Sequence, residues 1–182
     1  MLTKITAAVL LFALFGIVWT SDAVNGANIS AGTGPLGQAP VSHLNLSSGA
    51  TMMNESSYKN FLNMVQGIYR EDFNYSGSIL ENYVNKTISS RDAMVATTSI
   101  FMLTSHSIAL LETNRPPKIY ENVYNNTLLS MVYLRAFLWN MSKFYETNKN
   151  FYLVQARKNL NDSVLYYKTG QEELATRDGS RD

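Results

Sequence analysis

Eight asparagines stand two places before a serine or threonine: Asn28, Asn45, Asn54, Asn74, Asn85, Asn125, Asn140 and Asn161. No proline intervenes. In this pattern the carboxamide nitrogen is an N-glycan acceptor and the following hydroxyl its recognition partner, a chemistry confined to exported, surface-exposed positions. The chain holds 18 asparagines, and about one residue in six is a serine or threonine, so chance placement gives about three such pairs. The excess points to a glycoprotein. The plainer alternative is a chain rich in asparagine and serine for solubility.

Other reactive chemistry is sparse. Of the two histidines, His43 falls in a Gly/Ser/Pro-containing stretch and His106 in an uncharged one. His106 has only serine and threonine as polar neighbours, and it is expected to be a hydrogen-bonded core residue. No His-x-x-x-His or Glu-x-x-His spacing, calcium loop, phosphate-binding glycine loop or nucleophile elbow occurs. The carboxylate pairs Glu71–Asp72 and Glu172–Glu173 are adjacent in sequence, so on a helix each pair diverges by about 100°. Without cysteine there is no disulfide, thiolate zinc site or iron–sulfur cluster. The expectation is a protein that is not an enzyme and has no catalytic, metal or cofactor-binding residue. A net charge of +1 gives no electrostatic reason to expect nucleic acid.

One stretch invites an interaction. Leu128, Val132 and Trp139 fall off the main apolar stripe of their segment, and Arg135 sits among them. They are candidates for a surface that docks a protein partner or a membrane. The competing expectation is that this helix touches two neighbours and that the Arg135 stem packs while its head reaches water.

These residues need a scaffold. Residues 1–27 have the layout of a secretory signal peptide: Lys4, an apolar run over 5–19, then small residues at Ser21 and Ala23, with Ala27 a second cleavage candidate. A retained membrane anchor is the alternative, although a helix of about 16 residues spans roughly 24 Å of a roughly 30 Å hydrocarbon core. Residues 28–50 carry Gly32, Gly34, Pro35, Gly37, Pro40 and Gly49 without helical or strand period, and read as a flexible linker.

From residue 51 to 177 the periodicity is helical, and a charged tail, 178–182, follows. Five segments are expected: 54–70, 76–89, 91–112, 117–147 and 150–176, with breaks at 72–77 and at Asn114-Arg115-Pro116-Pro117. Ser89 or Ser90 can cap the third segment, with Asp92 in its first turn. Residues 93–111 carry no charge and are apolar on every side, which predicts a buried central helix rather than a membrane crossing. A crossing there would also divide the sequons between two compartments. Pro117 suits the first turn of the next helix. The last two segments are joined by only a few residues and should pack antiparallel.

The fold class expected is therefore all-α: an antiparallel bundle of four to five helices behind a signal or anchor helix and a linker. The function expected is that of an exported, N-glycosylated bundle with a structural or interaction role at the cell surface. It would be secreted or held at the extracytoplasmic face of the membrane or cell envelope. One alternative is an accessory subunit of a membrane protein complex held by an uncleaved N-terminal helix. Another is an extracytoplasmic bundle that binds a small ligand.

Overall fold

A computed structural model describes residues 53–179, with side chains to Arg177. The signal or anchor segment, the linker, and with them Asn28, Asn45 and His43, lie outside the described residues. Those described form four α-helices and no strand: α1 Glu55–Val84, α2 Ser90–Thr113, α3 Glu121–Thr147 and α4 Asn150–Gly179. A short 3-10 turn, Lys118–Tyr120, leads into α3.

Helix α1 begins where the Asn54 carboxamide oxygen accepts from the Ser57 N–H at 2.8 Å, with Glu55 in the positive first turn. It then runs unbroken through 72–77, so the two helices expected on either side of that stretch are one. The composition there, Asp, Asn, Ser and Gly, resembles a turn. The helical period nevertheless continues inward through Tyr69, Phe73, Ser76 and Leu80, all buried. The Ser76 hydroxyl donates back to the Phe73 carbonyl at 2.7 Å and so enters the interior without an orphan proton. The real end comes at Asn85, because Lys86 takes a left-handed backbone (φ 59) and Thr87 N–H closes onto Asn82 O at 2.9 Å. Ile88 consequently lies beyond the helix.

Ser89, rather than Ser90, caps α2 in a reciprocal box with Asp92. The two hydrogen bonds from Ser89 hold the Asp92 carboxyl below the usual carboxylate range. Pro117 is extended (ψ 147) and caps the 3-10 turn, so the first full turn of α3 starts four residues later than expected. Asn148, left-handed at φ 54, ends α3, and α4 starts two residues on.

The bundle runs up-down-up-down. Asp72 meets Thr104 across α1 and α2, Phe101 meets Trp139 across α2 and α3, and Tyr133 stacks on Tyr166 across α3 and α4. The most extensive helix pair is α3 with α4. Ala156, Ser163 and Gly170, spaced by seven, are all buried on α4. A Cβ at Gly170 would stand 3.4 Å from that of Asn126, in van der Waals contact, so the position is close-packed with room for little more than a methyl group.

The central helix is α3, not α2. Met131, Leu134, Phe137, Leu138 and Met141 of α3 are at most 2% exposed, and α3 packs on every other helix. Helix α2 turns Ala93, Thr97, Ile100, Thr104, Ser107, Ile108 and Leu111 inward. It leaves Val95, Met102 and Leu103 in water, at 54%, 67% and 60% exposure. An uncharged helix need not be buried when its inward face is partly hydroxyl. Ser107 returns its proton to Leu103 O at 3.2 Å, so hiding it costs little. Truncation tests this arrangement. Leu134→Ala should cost about 2–5 kcal/mol in denaturant unfolding, whereas Leu103→Ala should stay within about 0.5 kcal/mol.

Candidate functional site

The interior holds a polar layer that the apolar period did not reveal. Ser163, fully buried, donates to the Ser130 carbonyl at 2.8 Å. Its single proton is thereby used, so the Tyr69 hydroxyl, 2.9 Å away, is the donor between the two. Burial pushes the Tyr69 phenol well above its ordinary value. This chain ties α1, α4 and α3 together, and Tyr69 also stacks on Tyr167 with ring centroids 4.3 Å apart. A second link runs from Gln171 Nε2 to Gln66 Oε1 at 2.9 Å and from Gln66 Nε2 to Thr127 Oγ1 at 3.4 Å. The Tyr58 hydroxyl, by contrast, is buried without a partner.

Asp72 and Thr104 form the third polar contact. The Thr104 hydroxyl donates to Asp72 Oδ2 at 2.6 Å, and Asp72 is 4% exposed. Asp72 was expected in a solvated break; it lies inside because α1 continues past it. Burial pushes its carboxyl up from the ordinary carboxylate value, more than the Thr104 hydrogen bond lowers it. This is a fixed inter-helix tie, with one hydroxyl and one carboxyl and no nucleophile–base pair. Among the described residues no three metal-ligating side chains gather.

His106 is exposed on the outer face of α2, not in the core. At 100° per residue Val95, Met102 and Ala109 fall within about 40° of one another on that face, and Ser99 and His106 lie beside them. None of these carries a formal charge.

The surface residues singled out by sequence fall as follows. Leu128, Val132 and Arg135 are half-buried and Trp139 is 51% exposed. At 100° per residue they form a row on α3 opposite its core stripe. Trp139 lies against Phe101 of α2 (centroids 6.0 Å apart), and Lys143 Nζ stands 5.0 Å over its ring. Lys143 also pairs with Glu146 at 2.7 Å. The row therefore borders the outer face of α2.

The sequons divide by the burial of their hydroxyls. Asn54, Asn74, Asn85 and Asn125 are exposed, and Asn140 and Asn161 are half-buried. Ser56 and Thr87, which complete the Asn54 and Asn85 sequons, are exposed. Ser76, Thr127 and Ser163, which complete those of Asn74, Asn125 and Asn161, are buried in the polar layer. Those three hydroxyls have a packing role of their own. Ser142 of the Asn140 sequon is half-buried and bonded to Thr98 at 3.1 Å, while Asn140 Nδ2 donates to Ala136 O at 2.8 Å. No sequon falls on α2.

No family model, curated protein or solved structure matches the chain.

The Asp72 environment sets a pH dependence. Its folded pKa is raised above the unfolded value, so its contribution to stability is full below the unfolded pKa and is lost as pH rises through the folded one. Asp72→Asn keeps the acceptor for Thr104 and removes the charge. The variant's stability relative to the parent should therefore rise from about pH 4 to pH 7 and level off below that. Urea midpoints of both proteins across this range measure the effect, and parallel curves would contradict a raised Asp72.

Proposed function

We propose that the chain is an exported, N-glycosylated helical-bundle protein that works by contact at the extracytoplasmic face of the cell membrane or cell envelope, not by catalysis. The observation that carries this is the placement of the sequons. All six described acceptor asparagines reach the surface, although three of their hydroxyls do not. The apolar run over 5–19, with Lys4 before it and small residues after it, supplies the export signal. Apart from the Tyr58 hydroxyl, the buried side-chain polar groups of the described residues are occupied with one another or with backbone, which suits a rigid scaffold whose activity resides on its outside.

The test is the mass of the chain isolated from the membrane and soluble fractions of its native source, with glycopeptide mapping. A chain beginning near Val24 or Asn28 and carrying glycan is the expected form of a released or surface-associated glycoprotein. Occupancy should be highest at Asn54 and Asn85. An enzyme acting on the folded chain cannot engage the hydroxyls of Ser76, Thr127 and Ser163, so Asn74, Asn125 and Asn161 should be modified less. Unmodified asparagines throughout would overturn the glycoprotein reading.

A second reading is favoured by the uncharged outer face of α2 beside Trp139. In it the N-terminal helix is retained and the bundle is an accessory subunit of a membrane complex. Trp139→Glu in the native host should then reduce co-purification with membrane partners. Unchanged co-purification and solubility would remove docking through this row.

A further inference from the structure

We propose that in the anchored form the outer face of α2 and the adjoining row of α3 rest on the surface of a lipid bilayer. Val95 and Met102 would enter the acyl boundary, and Trp139 would sit at headgroup level between Arg135 and Lys143. The inference rests on the reading in which the N-terminal helix is retained.

Four observations carry it. First, Arg135, Trp139 and Lys143 follow one another at four-residue spacing, so they form one row along α3. An indole between two basic side chains suits the membrane interface, where the ring spans the polar–apolar boundary and long cationic stems reach phosphate. Arg135 makes no ion pair among the described residues, which leaves its guanidinium free for a phosphate oxygen. Lys143 shares its charge with Glu146.

Second, the α2 face beside this row carries apolar side chains in water and no formal charge over residues 93–111. The mean hydropathy of the whole helix reaches 1.5 over eighteen residues, yet only 33% of that window is buried. The inward face is committed to the bundle through Thr104 and Asp72, so α2 meets lipid with its outer side and does not cross.

Third, no sequon falls on α2, and on α3 the one on the side of the row, at Asn125 seven residues before Val132, has its Thr127 hydroxyl buried. A glycan here would hold the surface away from a bilayer.

Fourth, length and area favour a bilayer over a second copy of the chain. About thirty-five residues separate the apolar run from α1, which confines the bundle to within roughly 120 Å of the membrane holding the anchor. Within that reach a weak surface suffices, because the tether makes its contact intramolecular. The uncharged strip Val95–Ala109 and the row Leu128–Lys143 are each about 22 Å long and about 10 Å wide, together roughly 400 Å², about half of what each partner of a stable protein pair usually buries.

The sequence has two tryptophans, Trp19 and Trp139, so the full chain with Trp19→Phe reports on Trp139 alone. It is reconstituted with phosphatidylcholine vesicles, with and without brominated acyl chains. The expected result is a blue shift of the emission and its loss in brominated lipid. Both should disappear in a Val95→Lys, Met102→Lys variant whose helix content by circular dichroism is unchanged. Emission that stays at the water value in vesicles overturns the proposal. So does a blue shift that grows with protein concentration in detergent-free buffer without lipid, which would assign the face to a second copy. A shift retained in the lysine variant overturns it as well, because the contact would then not run through α2. Native glycopeptide and mass data test export and anchoring separately, so failure here leaves that reading intact.

Discussion

Everything in the bundle hangs on the closeness of α3 to α4. Ala156, Ser163 and Gly170 present almost no side chain along one line of α4, so α3 can settle closely against it. Once α3 is fixed by this contact its remaining flanks are available to α1 and α2. The four-helix arrangement follows from one helix having neighbours on nearly every side. An alanine at 170 would just touch Asn126 and Thr127, whereas a side chain longer than alanine would press on them beside the level at which Gln66 and Gln171 meet.

The same line explains the use of hydroxyls inside. A serine at 163 is small enough for the close approach, and it also relays a hydrogen bond from Tyr69 to the Ser130 carbonyl. Thr127, Thr104 and Ser76 combine small size with a local or inter-helix hydrogen bond in the same way. Such groups cost little to bury because their protons are satisfied within the bundle. They also give direction to an interface that aliphatic packing alone would leave free to slide.

Much of the architecture was legible in the residues. The all-α class, the Ser89–Asp92 start, the stop near Asn114 and the antiparallel final pair all follow from period, caps and proline. What escaped was the inside-outside sense of α2 and the continuity of α1. Both failures have one origin: apolar count and turn-like composition are properties of a segment, whereas burial is decided by the partner it meets. Thr97, Thr104 and Ser107 face inward because α1 and α3 lie there, and Met102 faces outward because nothing described does. Ser163 and Gly170 were invisible for the related reason that small side chains do not register in a hydrophobic period. A seven-residue spacing of small residues on one helix was the available signal. Of the interaction residues, Trp139 stood out because it left the apolar stripe. Its relation to α2 depends on the pairing of two helices that no local pattern specifies.

Load on the chain would not be shared evenly. The segment that precedes the bundle joins it at Asn54, and the first element it reaches is α1, which meets α2 and α3 through far thinner contacts than those between α3 and α4. Tension along that segment enters the helix that is least firmly held. Under force α1 would peel away first, exposing Asp72, Tyr69 and Gln66 to water, while the α3–α4 hairpin kept its packing. The bundle thus has a compliant side and a stiff side, and a pull on the chain before Asn54 would reach the compliant one first.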